Sequence, residues 1–349
     1  MRDAYGVTGT GLDGKGVTVG IIGLDDETNA PADADRFSAE HGEPPFAPGQ
    51  FTTYVPENAG TSPAGGEFTM DIEAAHAMAP AADIAYVVAP GKHDGHPVLD
   101  AMTRIVDEHL ADVVSGSVLV GTGLPGLTAG SIAPYEQAAV GGTTLATGPG
   151  NRYAWETGWA NDASALSDDG TQWTPAPPGD QDGSGFPQPG YQRGTVPPDM
   201  AGSPPSRTVP DVAALADPSL GLRYGHTSFD IKGNLVYSTT NGGGTSLASP
   251  LFAGVEALMA QAHHGPIGFA NPALYARHQD FHHMLDNPVN TPNTKSFATV
   301  EQAVAGGGTW VQLTTPGQYA DSDLTSGPGY TMVTGLGSPT RALLDSFRR

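Results

Sequence analysis

Cysteine is missing from all 349 residues, and its absence excludes disulfides, thiolate catalysis and cysteine-ligated zinc. Cationic side chains are scarce as well. The 15 Lys and Arg stand against 37 Asp and Glu, a formal net charge of −22. A surface this acidic repels nucleic acid and anionic membranes, so neither is an expected partner. It suits a protein working at acid pH, where protonated carboxylates repel one another less, and it suits a high-salt habitat equally. No apolar run approaches the roughly 20 residues of a membrane span. No signal-peptide pattern precedes the opening Met1-Arg2-Asp3-Ala4. With no interface signature, a monomer is the default expectation.

Glycine and proline, by contrast, are abundant: 48 and 31 residues imply many turns and long surface loops. Hydrophobic residues at 38% still suffice for a sizeable core. "GKGVTVGIIG" (Gly14–Gly23) reads as a buried strand, with Val17, Val19, Ile21 and Ile22 as its β-branched run. "FTMDIEAAHAMAP" (Phe68–Pro80) reads as a helix ended by its proline, and "ADIAYVVAP" (Ala82–Pro90) as a second buried strand. A helix over Leu99–Leu110, a strand over Ala111–Gly121 and a segment Tyr135–Ala146 ending in a strand follow. Residues from about Gly148 to Ser206 read as irregular surface rather than a linker, because they carry Trp155, Trp159 and Trp173. Strands alternating with helices predict one α/β domain over residues 1–349, with a mostly parallel sheet flanked by helices.

The stretch "GGGTSLASPLFAGVEALMAQ" (Gly242–Gln261) sets three glycines before Thr245-Ser246 and an apolar helix. Ser246 at the helix start is either a structural residue or a nucleophile. The glycines let a substrate backbone approach, and the helix N-terminus favours developing negative charge. A nucleophile needs a base. The His-Gly-Thr-His motif of subtilisin-type proteases is absent, and Gly23 follows Ile21-Ile22 where their strand aspartate would stand. Glu67 and Asp71 offer another base. Their i, i+4 spacing puts both carboxylates on one helix face. Two carboxylates so close titrate as a coupled pair. A glutamate base oriented by an aspartate takes a serine proton at acid pH, where a histidine is already protonated. A plain solvated acidic face is the bland reading of the same spacing. His76, nine positions after Glu67, lies off that face and is read as structural.

With these residues in view, the sequence resembles the sedolisin family, the serine-carboxyl peptidases, over nearly its whole length. The resemblance is carried in order by "DAYGVTGTGLDGKGVTVGII" (Asp3–Ile22), the Glu-x-x-x-Asp helix, "AVGGTTL" (Ala139–Leu145), "WETGW" (Trp155–Trp159) and "VPDVAALAD" (Val209–Asp217). "GGTSLASPLFAG", "GFANPALYA" (Gly268–Ala276) and "GPGYTMVTGLGSP" (Gly327–Pro339) complete it. It implies a subtilisin-like fold and cleavage of polypeptides at acid pH through an acyl-enzyme. Ser246 becomes the nucleophile, Glu67 the base and Asp71 its orienter. The "SGSV" strand, with Ser115, Gly116 and Ser117, becomes the segment that pairs with substrate backbone. Members carry a large N-terminal prosegment and are secreted, so the resemblance implies an extracellular protein whose mature domain starts near residue 1.

Three departures from the family stand out. Its Ser-Gly-Asp motif, whose protonated aspartate stabilises the tetrahedral intermediate, has no counterpart. No Asp lies between Asp112 and Asp162, and the segment is too short for the helix and central strand that would carry it. Losing one oxyanion donor costs about 10²–10³ in turnover. The calcium site near the C-terminus keeps Gly327 and Gly329, but His283-Met284 and Thr331 stand where the family has carboxylates. A hard cation wants charged oxygen ligands. Asp321 or Asp323 would have to substitute, so no metal is assigned. "DGSGFPQPGYQ" (Asp182–Gln192) is a shortened glycine run. The readings to separate are an acid endopeptidase, a catalytically impaired peptide-binding relative and a histidine-based subtilisin-like protease.

Overall fold

A computed structural model describes residues 1–90, 97–117, 138–159, 164–166, 173–175, 186–218, 221–284, 297–302, 309–314 and 326–348. Its elements begin with β1 (Thr18–Gly23), β2 (Asp25–Glu27), α1 (Ala30–Glu40), β3 (Phe51–Tyr54), β4 (Gly60–Ser62), α2 (Glu67–Met78), β5 (Asp83–Val88), α3 (Pro97–Asp107) and β6 (Val113–Ser115). They continue with β7 (Val140–Thr147), β8 (Tyr153–Gly158), β9 (Ser164–Leu166), β10 (Trp173–Pro175), α4 (Pro198–Ala201) and β11 (Val212–Leu215). Next come β12 (Arg223–Phe229), β13 (Leu235–Asn241) and the long helix α5 (Thr245–His263).

A four-stranded parallel sheet in the order β3-β5-β1-β6 holds the N-terminal half. Both faces of β1 are covered, which is why it reads as a near-continuous apolar run. Alternate residues serve different cores. Val19 and Ile21 pack with α2 and α5, whereas Ile22 packs with Val98, Ala101, Met102 and Ile105 of α3. A three-stranded sheet follows, in which β7 runs parallel to β11 and antiparallel to β8. Helix α5 touches β1, β6, β7 and β11, so it bridges both sheets. It is buried nearly all round, as a helix in such a position must be. Where α2 and α5 cross, a Cβ on Gly254 would lie 2.6 Å from the Met78 Cβ and 3.0 Å from the Ala75 carbonyl. Only glycine admits so close a crossing.

The mostly parallel α/β architecture agrees with the sequence reading, and particular boundaries differ. Gly14 and Gly16 adopt φ of 87° and 79°, so a turn precedes the first strand and β1 starts at Thr18. The strand expected over Ala111–Gly121 narrows to Val113–Ser115 among the described residues. Within the stretch read as irregular, β8 pairs with β7. The β12–β13 hairpin has no counterpart in the sequence reading. Two carboxylates fix it to the helices: Asp33 accepts from Thr227 N and Oγ1 at 2.6 and 2.8 Å, and Glu73 accepts from Gly225 N at 3.0 Å. The expected loss of one central strand-helix segment falls on residues 118–137, which lie outside the described residues.

Candidate active site

Ser246 sits in the first turn of α5, directly after the glycine loop. Gly244 precedes the helix with φ of 82°, a left-handed conformation that other L-residues rarely adopt. Its amide donates to the Ala216 carbonyl at 2.7 Å, anchoring the loop on the end of β11. Ser246 is half-buried, with its helix N-terminus pointing positive potential at the site.

Glu67 opens α2 and is exposed, while Asp71 lies one turn inward with no exposed surface. Tyr224 of β12 brings the starts of α2 and α5 together. A Cβ on Gly66, just before Glu67, would lie 3.5 Å from the Tyr224 hydroxyl. A Cβ on Gly242, four residues before Ser246, would lie 3.2 Å from Tyr224 Cδ1 and would collide with the Met70 sulfur. The glycine loop therefore rests on α2 between Glu67 and Asp71. No direct hydrogen bond joins the Ser246 hydroxyl, Glu67 and Asp71 among the described residues. Such contacts are often long without substrate and tighten in the complex.

Burial holds the Asp71 carboxyl well above the usual aspartate range, and the charges of Glu67 and Glu27 push the same way; the Ser117 hydroxyl opposes them. Apart from that hydroxyl, neither Asp71 oxygen has a hydrogen-bond partner. Glu27, at the end of β2, was not singled out by any sequence pattern. Its carboxylate accepts from Gly66 N at 3.3 Å, Thr69 N at 3.0 Å and Thr69 Oγ1 at 2.7 Å, so it caps the start of α2 from another strand. Burial raises its pKa above the ordinary glutamate value, against the pull of those donors.

The strand-end residues expected at the cleft also meet α5. Ser115 Oγ lies 2.9 Å from Ser249 Oγ, and Ser117 Oγ donates to the Ser246 carbonyl at 3.1 Å. Gly116 stands between them at the end of β6. His76 points elsewhere. It is buried against Phe46, its Nε2 lies 2.8 Å from the Pro44 carbonyl, and burial lowers its basicity. This agrees with its structural reading.

At the position of the family's calcium site, the described residues bring no carboxylate. Met284 is buried, His283 is exposed, and the Thr331 hydroxyl is engaged 2.9 Å from that of Thr334. No cluster of three His, Asp or Glu is placed to hold a metal among the described residues. Asp321 and Asp323 lie outside them.

A serine at a helix start beside a carboxylate-bearing helix, on a mainly parallel sheet, defines a subtilisin-like α/β architecture. No family model matches the sequence. Kumamolisin from Bacillus sp. (strain MN-32) is 30% identical over 367 residues, covering 94% of this chain and 59% of that protein. The chain therefore spans less than two thirds of the relative's length. Pseudomonas sedolisin, a serine-carboxyl proteinase solved with two molecules of pseudo-iodotyrostatin, matches with a TM-score of 0.67 at 19% identity. That match covers 99% of this chain and 95% of the other. The chain shares the subtilisin-like α/β fold of Pseudomonas sedolisin.

Proposed function

We propose that the protein is an acid-acting serine-carboxyl endopeptidase. Ser246 attacks the scissile carbonyl, Glu67 takes its proton and returns it to the leaving amine, and Asp71 orients Glu67. An acyl-enzyme forms on Ser246, and water releases it in the same way. The backbone of Ser115–Ser117 offers the edge along which a polypeptide substrate pairs. The observation that carries this reading is the seating of the Ser246 loop on α2 between Glu67 and Asp71, through Met70 and Tyr224. Asp71, held neutral by burial, places no second negative charge beside Glu67 and so does not oppose the charged form that a base needs. No oxyanion donor is assigned, because the family's Ser-Gly-Asp motif has no counterpart in the sequence. The family resemblance carried by the sequence motifs, and the fold shared with a serine-carboxyl proteinase, support polypeptide substrates; secretion rests on the resemblance alone. The test is a pH–rate profile on denatured protein substrate. A carboxylate base gives activity confined to acid pH, whereas an optimum near neutrality contradicts the reading.

A further inference from the structure

Pro250 stands four residues after Ser246 inside α5. In an α-helix the carbonyl of residue i is met by the amide of residue i+4, and proline has no N–H to give. Its ring also pushes against the carbonyl four residues back. The carbonyl of the proposed nucleophile is thus freed by the sequence of its own helix, and Ser117, from the end of β6, donates to it at 3.1 Å. The same hydroxyl acts on the carboxyl of Asp71, whose two buried oxygens have no other hydrogen-bond partner.

We propose that Ser117 is a positioning residue whose hydroxyl replaces the helical donor that Pro250 lacks and ties the nucleophile's backbone to the Asp71 carboxyl. The inference rests on the peptidase reading above and deepens it. Ser117 has one proton and two acceptors beside it. While Asp71 is a neutral acid, that proton stays on the Ser246 carbonyl. When Asp71 ionises, its carboxylate is the stronger acceptor and draws the proton away, since charge-assisted hydrogen bonds are the stronger ones. The first turn of α5 then loses its external tie. The other titratable groups around Asp71 are Glu67 on its own helix, Glu27 on β2 and Tyr86 on β5.

The test compares Ser117→Ala and Ser117→Thr, each also in a Pro250→Ala background that returns an amide donor to the Ser246 carbonyl. Ser117→Ala is expected to lower kcat about tenfold at nearly constant KM, the worth of one hydrogen bond. Ser117→Thr restores most of that loss. In the Pro250→Ala background the loss shrinks to under about threefold, as coupling between the two sites requires. The alkaline limb of kcat/KM moves to higher pH in Ser117→Ala, because Asp71 loses a donor that favours its ionised form. A Ser117→Ala enzyme within about twofold of wild type, with an unmoved limb, overturns the proposal. A wild-type protein without any turnover overturns the peptidase reading instead. The tie is then decided by amide hydrogen exchange over residues 243–250. Faster exchange in Ser117→Ala, reversed by Pro250→Ala, supports it, and identical exchange in all variants refutes it.

Discussion

A carboxyl with no exposed surface keeps its proton far above the usual aspartate range, and Asp71 is in that state, with only the Ser117 hydroxyl opposing it. Beside it, Glu67 stands exposed at the helix start. One turn of helix thus gives two carboxyls different environments, and different environments separate an acid from a base. Replacing Glu67 by Gln is expected to lower kcat/KM by at least about 10²-fold, the usual worth of a general base. Unchanged circular dichroism checks that the fold survives. The residue types of this site were legible in the sequence, because i, i+4 spacing and a glycine loop are local patterns. Glu27, Tyr224 and the Ser117–Ser246 tie were not, because each acts across a long separation in sequence. No periodicity reports such a meeting.

Helix α2 is held at both ends by other elements. Glu27 of β2 caps its start, and Gly254 of α5 meets its last turn at van der Waals limits. Removing the cap by Glu27→Ala is expected to cost about 1–2 kcal/mol, read from the denaturant midpoint at constant slope. Activity should fall further than that loss explains, since the capped turn carries Glu67. Gly254→Ala forces the α2–α5 crossing apart and should cost about 1–3 kcal/mol by overpacking. At this scale the sequence exposed the buried strands and the two principal helices, whose apolar patterns are strong. It concealed β8, which lies amid proline and glycine. The β12–β13 hairpin was hidden too, since its residues are nearly all exposed or half-exposed and it is fixed by Asp33 and Glu73 rather than by apolar alternation.

Across the whole molecule, buried carboxyls set the pH range in which the fold is comfortable. Glu156 is fully buried among the hydroxyls of Tyr5, Thr143 and Ser338, and burial pushes it to about 7. Glu73, between α2 and the hairpin, is pushed to about 9 for the same reason. Each binds its proton more tightly folded than unfolded. The stability each adds is complete below the ordinary glutamate value near 4.5 and is lost as pH rises, through about 7 for Glu156 and about 9 for Glu73. Thermal unfolding should therefore show its highest Tm in acid and a progressive fall toward pH 9. Glu156→Gln, a permanently neutral stand-in, should flatten the portion of that fall between 4.5 and about 7. The same acid preference follows from a net charge of −22, whose self-repulsion relaxes as carboxylates protonate. Fold and charge thus both favour the range in which a Ser246/Glu67 pair would work. Hydrolysis of a denatured protein by wild type and by Ser246→Ala, measured side by side at roughly pH 3–5, tests this most directly. The account predicts steady turnover by wild type and none above background by the variant, whereas equal rates for the two would contradict it.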